Sequence, residues 1–286
     1  MGGYLSVKIY YMKILNGSEL VGYIKERQAK QVRALRQSWR VFPKLVIIST
    51  NDNPVNEVYL KLKKQYGEDI LIDVEICKTT TLDVKNNIND FNKDPDIHGI
   101  IVQLPISDVS MTDEVINMIN PEKDVDGLAQ NSLFTPATAM AIDWLLTGYN
   151  IDLNYKKIAI VGEGRLVGVP LAKLWRNNGF DIETYNDKTT DLKNKLLKAD
   201  VIVSAAGVPG LIKSDMTPSH AVIVDAGTAS ENGEIVGDVD DDLRNRDDLT
   251  ITPKKGGVGP LTVAALFDNV ITSARKVADK KGQQDI

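Results

Sequence analysis

The chain has a single cysteine, Cys77, among 286 residues, which excludes an internal disulfide framework and any zinc cluster built on thiolates. It reads instead as a small core filler. Two histidines, His98 and His220, are too few for a histidine-rich centre, so no metal is expected. No stretch approaches the roughly 18 uncharged apolar residues of a membrane span. The opening MGGYLSVKIYYMKILNG also lacks the ordered charged, apolar and small-residue regions of a secretory signal. A cytoplasmic protein without a membrane partner is expected. Neither sign of charge dominates: 34 Lys and Arg face 39 Asp and Glu, leaving −5 net without long blocks. Such a surface does not suit nucleic acid.

What is present is a long alternation of helix and strand patterns, with 43% apolar residues and enough length for two domains. A helix over 18–40, which Asn16 or Ser18 would cap, leads into a strand over 44–50, a helix over 55–67 and a strand over 70–77. Then come a helix over 82–93, a strand over 98–104 and a helix over 112–120. Strands separated by helices of this length form parallel βαβ units. The segment TAMAIDWLLTGYN reads as an apolar helix that Thr135 or Thr138 would cap and that Gly148 and Asn150 would end. A second series follows: KIAIV, a helix over 168–178, FDIETY, a helix over 190–198, DVIVSAAG, AVIVDAG, GEIVGD and TIT. Its continuous Val/Ile runs suit strands covered on both faces. The chain closes on a loop, a long helix and a polar tail expected to fray. Residues 1–11 show no cap or period and are assigned nothing.

Between KIAIV and the following helix lies VGEGRLVGVP, residues 161–170. A strand that turns straight into a helix leaves the first helical N–H groups unpaired, beside the positive end of the helix dipole. Glycines at 162 and 164 would let backbone approach a pyrophosphate, and Gly168 would let helix and strand pack closely. The next strand ends in YNDKTTDL, where Asp187 stands 23 residues beyond Gly164, near the usual place of an acidic residue that binds the ribose hydroxyls of NAD. Against NAD, Arg165 and Lys188 would suit the 2′-phosphate of NADP, with Thr189 and Thr190 adding hydroxyls. A solvated turn is the third reading of Asp187 and Lys188.

In the first half, NEVYLKLKKQYG puts Tyr59 and Lys63 four residues apart on one helix face, with Val58 and Leu62 as the neighbouring apolar stripe. Most such lysines are solvated; a desolvated one would titrate nearer neutrality and handle protons. Gln103 interrupts HGIIVQLP at the carboxyl end of a strand, where open α/β sheets bind ligands. PEKDVDG is either a surface turn or a carboxylate placed to accept two hydrogen bonds from an amidine-like heterocycle.

Taken together and in order, YLKLK (59–63), HGIIVQLPI (98–106), PEKDVDG (121–127), VGEGRLVGVP (161–170), ADVIVSAAG (199–207), VIVDAG (222–227), GDVD (237–240) and TPKKGGVGPLT (252–262) resemble the bifunctional methylenetetrahydrofolate dehydrogenase/methenyltetrahydrofolate cyclohydrolase family. The resemblance spans about residues 14–280. It implies a two-domain α/β fold: a folate-binding catalytic βαβ domain over 1–149, a Rossmann-type doubly wound NAD(P)-binding domain over 150–265, and a C-terminal helix over 266–286 packing back on the first. It implies oxidation of 5,10-methylenetetrahydrofolate to the methenyl compound with NADP, NAD not being excluded, then hydrolysis to 10-formyltetrahydrofolate. A homodimer working in the one-carbon supply to purine, histidine and methionine biosynthesis is implied as well.

The implied roles fall on particular residues. Lys63 is the catalytic lysine, Gln103 tunes it, Tyr59 packs on the substrate ring and Asp126 binds the pterin. Gly257, Gly259 and Pro260 line the substrate side. The dinucleotide falls to Gly162, Gly164, Arg165, Leu166, Val167, Gly168, Asp187, Lys188, Thr189, Ala206, Gly207, Asp225, Gly227 and Thr228. The chain departs from the family pattern in its cofactor loop, where Glu163–Gly164 replaces an arginine–serine pair and Asn186–Asp187 replaces histidine–serine. Asn56 stands for a serine before the tyrosine, Ala137 for a cysteine, and Lys254–Lys255 for Val–Pro. Those lysines would attract a polyglutamate tail or simply be solvated. The competing readings are a dehydrogenase without hydrolase activity, a two-domain dehydrogenase of shikimate or amino-acid type, and a non-catalytic nucleotide binder.

Overall fold

The computed structural model describes residues 13–231 and 234–284; residues 1–11 lie outside them. The first sheet is parallel, ordered β3–β2–β4. The strands are β2 (Lys44–Ser49), β3 (Asp73–Lys78) and β4 (Gly99–Val102), joined by helices α2 (Pro54–Asp69) and α3 (Val84–Lys93). Since β2 leads outward to β3 on one side and β4 lies on the other, the connections part at β2, and a crevice opens between the carboxyl ends of β2 and β4.

The second sheet has six parallel strands in the order β1–β11–β8–β7–β5–β6. They are β1 (Lys13–Ile14), β5 (Ile158–Val161), β6 (Ile182–Tyr185), β7 (Val201–Ser204), β8 (Val222–Asp225) and β11 (Thr250–Ile251). Its switch of direction falls between β5 and β7. Helices α6 (Gly168–Asn177) and α7 (Leu192–Leu196) lie in its crossovers, and β9 (Ala229–Glu231) with β10 (Glu234–Val236) forms an antiparallel hairpin after β8. Strands β5 and β7 are buried at every position, as their unbroken apolar runs require. The edge strand β1 comes from the start of the chain, a segment in which the sequence shows no period. Two residues are too short to carry one.

Helices α1 (Gly17–Ser38), α4 (Thr112–Asn117), α5 (Ala137–Gly148) and α8 (Val258–Gln284) complete the chain. The C-terminal helix packs along α5, α1 and α2, and it runs through to Gln284. Alanines 264, 265, 274 and 278 are buried on it, small enough to let neighbouring helices approach. Gln28 of α1 is fully buried and ties three helices together. Its Nε2 donates to the Ala264 carbonyl at 2.8 Å and its Oε1 accepts from the Tyr66 hydroxyl at 2.8 Å. Tyr66 in turn stacks on Phe267, 5.0 Å between centroids. The capping expectations fail in detail. Asn16 and Pro136 occupy the N-cap positions of α1 and α5 without a side-chain cap; the Ser18 hydroxyl reaches the Gly256 carbonyl at 3.4 Å instead. Tertiary contacts replace the local ones here.

Candidate active site

Helix α2 leaves the carboxyl end of β2, and its inward stripe runs Asn56, Leu60, Lys63, Gly67, spaced as one helical face demands. Asn56, Leu60 and Gly67 are buried and Lys63 half-buried. This corrects the expected apolar stripe: Val58 and Leu62 are 51% and 53% exposed, two positions out of phase with the core. The shift places Lys63 itself on the packed side. Its Nζ donates to Gln103 Oε1 at 2.8 Å, across the crevice from the end of β4. Burial pushes the Lys63 amine below its ordinary range, and the Asp126 carboxylate partly opposes that. Burial likewise pushes Asp126 up, opposed by Lys63 and reinforced by Asp124. Tyr59, one turn before Lys63, is half-buried, and desolvation raises its phenol, which stays protonated.

The segment carrying Asp126 is held from two sides. Ile100 of β4 donates its N–H to the Lys123 carbonyl at 2.8 Å, extending the sheet by a bridge to Asp124. From the C-terminal helix, Asn269 Nδ2 donates to the carbonyls of Val125 and Thr135 at 2.8 and 3.0 Å, and Ser273 Oγ to Glu122 at 2.9 Å. Sequence reading gives no role to Asn269 or Ser273. Their only signal is polar residues on an otherwise apolar helix stripe. Asn56 Nδ2 is buried with no hydrogen-bond partner among the described residues.

The glycine loop sits at the second switch point and passes a direct test of fit. Gly162 has φ +104°, and a Cβ there would lie 2.3 Å from the Ala205 carbonyl oxygen. One on Gly168 would lie 1.7 Å from the Gly162 oxygen, whereas Gly164 faces open space apart from one atom at 4.0 Å. Two glycines thus let backbone pack tightly and the third leaves room. Helix α6 begins at Val167–Gly168 without a side-chain cap. Close packing and an open approach suit a pyrophosphate, although the Val169 N–H already donates to the Gly164 carbonyl at 3.2 Å and Pro170 has none to offer. Leu166 is 45% exposed beside it.

The opposite wall is the loop after β7. Asp238, fully buried, accepts from Ser204 Oγ at 2.7 Å and from the N–H groups of Ala206 and Val208 at 2.7 and 2.8 Å, fixing Ala206 and Gly207 in place. Asp225 accepts from Arg244 Nη2 at 2.6 Å and from the N–H groups of Gly227, Asp238 and Val239. Its carboxylate therefore works on the protein, and a part for Asp225 in cofactor binding is left to its backbone. Gly227 is required by packing, since its Cβ would fall 2.2 Å from Asp238 Oδ1; Thr228 is exposed.

Other expected residues separate. Arg165 forms an ion pair with Asp113 of α4, with both side chains exposed. Asp187 and Lys188 are exposed at the tip of a turn closed by Asn186 and Thr189. Gly257 is buried against Thr252 and Gly17, Gly259 is open, and Pro260 lies in the first turn of α8, where a missing N–H costs nothing. Lys254 pairs with Asp241 at 2.8 Å.

Family models match both halves of the chain. The tetrahydrofolate dehydrogenase/cyclohydrolase catalytic domain covers residues 15–126, and the NAD(P)-binding domain of the same name covers 136–278. The chain belongs to the tetrahydrofolate dehydrogenase/cyclohydrolase family. The bifunctional protein FolD of Hydrogenobaculum sp. (strain Y04AAS1) is 36% identical, over 93% of this chain and 99% of the relative. The crystal structure of the bifunctional FolD enzyme from Campylobacter jejuni superimposes with a TM-score of 0.87 at 34% identity, covering 93% and 99% of the two chains. The Trypanosoma brucei enzyme, solved with NADP and an inhibitor, matches with a TM-score of 0.87 at 26% identity, covering 93% and 98%. Family membership sets aside the shikimate or amino-acid dehydrogenase and the non-catalytic nucleotide binder, and the second half is a nicotinamide-dinucleotide-binding domain.

Proposed function

We propose that one cleft of this protein oxidises 5,10-methylenetetrahydrofolate to the methenyl compound and hydrolyses that to 10-formyltetrahydrofolate. The observation that carries this reading is the bond from Lys63 Nζ to Gln103 Oε1 at 2.8 Å, with Asp126 acting on the same amine. The loop 162–168 and the Ala206–Gly207 turn would hold a nicotinamide dinucleotide, which supplies the hydride acceptor. Asp126 accepts two hydrogen bonds from the pterin N3–H and 2-amino group, which fixes the reacting carbon. Tyr59 packs against the ring. In hydrolysis, the water oxygen bonds to the methenyl carbon and the carbon–N5 bond breaks. Lys63 takes a water proton and one proton returns to N5, the other leaving to solvent. Gln103 aims the amine without adding charge, so the amine keeps the proton affinity that burial has lowered.

A nicotinamide dinucleotide as hydride acceptor, a homodimer and a cytoplasmic location belong to the same reading, supported by family membership. Lys63→Met is expected to reduce methenyl hydrolysis by at least about 100-fold, with methenyl product accumulating during oxidation. Near-normal conversion of methenyl to formyl compound by that variant refutes the assignment.

A further inference from the structure

The glycine loop carries an acidic side chain whose position bears on the choice of dinucleotide. Glu163 leaves the end of β5 and reaches over to β6. Its Oε1 accepts from Thr184 Oγ1 at 2.7 Å and its Oε2 from Asn186 Nδ2 at 2.6 Å. Thr184 lies in β6 and Asn186 directly follows it, so the carboxylate is fixed at the carboxyl end of the second strand of the doubly wound sheet. That is where such folds read the adenosine ribose. A carboxylate has about four acceptor sites, and these two bonds leave acceptor capacity on both oxygens. The two hydrogen bonds also hold Glu163 below the usual carboxylate range, so it is ionised.

Among the described residues, the two arginines near the loop are already engaged. Arg165 is paired with Asp113, Lys188 is exposed at the turn tip beside Asp187, and Arg176, the cation that acts on Glu163, turns its guanidinium toward the Ile182 carbonyl. Free ribose hydroxyls can donate to a fixed carboxylate. A 2′-phosphate has only acceptor oxygens and about two negative charges, and it would be repelled.

We infer that Glu163, positioned by Thr184 and Asn186, selects a dinucleotide with an unmodified 2′-hydroxyl, making this chain NAD-preferring within its family. The inference rests on the folate-oxidising reading only for its kinetic test. Two measurements on the full chain decide it: oxidation of methylenetetrahydrofolate with NAD and NADP at matched concentrations, and calorimetric binding of ADP and 2′,5′-ADP without folate. Preference for NAD over NADP, and for ADP over 2′,5′-ADP, by at least about tenfold is expected. Glu163→Gln should shift both ratios toward the 2′-phosphorylated ligand by a similar factor. Equal or better binding of 2′,5′-ADP by the unaltered protein, or ratios unmoved in a Glu163→Gln variant that keeps its melting temperature, overturns the inference. Absence of folate oxidation with either dinucleotide would instead strike at the proposed reaction, and the ADP comparison would still decide the role of Glu163.

Discussion

At the carboxyl ends of the first sheet, Lys63 and Asp126 sit half-buried, and the lysine makes one side-chain hydrogen bond. At the same ends of the second sheet, Asp238 accepts three hydrogen bonds and Asp225 accepts four. Both regions bury charge beside a switch point, yet they treat it oppositely. Burial also pushes the Asp225 carboxyl up, so the difference lies in partners: charges left short of them stay available to a substrate. Charges fully satisfied inside the chain are spent on shaping backbone, here the turn of Ala206 and Gly207. Proton chemistry belongs on the first kind, and a rigid wall for a dinucleotide on the second.

The comparison breaks first at Asp238. Asp238→Ala strands a buried hydroxyl and two N–H groups, and a loss of about 3 kcal/mol is expected. For a domain of this size that lowers the melting temperature by roughly 6–12 °C, which calorimetry can check; a change under a degree would show the network to be dispensable. Gln103→Glu tests the other region. A negative partner at Lys63 Nζ raises the amine from its depressed value, so the rise of hydrolysis rate with pH moves to higher pH. At neutral pH the rate should drop roughly tenfold; a pH profile displaced downward contradicts the placement of Lys63. The smallest effect is on stability at Lys63 itself. Replacing a desolvated amine with Met should leave stability unchanged or raise it by up to about 1 kcal/mol, whereas a marked loss on thermal unfolding would mean Lys63 is a structural ion pair.

Much of this arrangement is legible in the sequence because periodicity reports burial. The continuous apolar runs of β5, β7 and β8 and the glycine loop announce a doubly wound sheet, and Gln103 stands out because a polar residue ends an apolar strand. Long-range pairings leave no such mark. Nothing near Arg165 announces Asp113, and nothing near Glu163 announces Thr184 and Asn186, more than twenty residues away. The phase of α2 differs from its apolar pattern for a related reason: Val58 and Leu62 are apolar, but the packed stripe is set by what α2 meets, Asn56 and Lys63 included. The first strand escaped because two residues, Lys13 and Ile14, belong to a sheet whose other members begin over 140 residues later.

That first strand has a consequence for how the gene can be cut. The chain passes between its two sheets three times: after β1, between α5 and β5, and between β11 and α8. The three passes touch one another. Lys13 Nζ donates to the Tyr149 carbonyl at 2.7 Å, the Tyr149 hydroxyl accepts from the Asn16 N–H at 3.0 Å, and the Ser18 N–H donates to the Gly256 carbonyl at 2.9 Å. A Cβ on Gly17 would collide with the Gly257 oxygen at 1.9 Å. Halves stitched together this way are poor cassettes for shuffling. A break placed after Tyr149 would strip one product of its edge strand and the other of the long helix that supports Asp126.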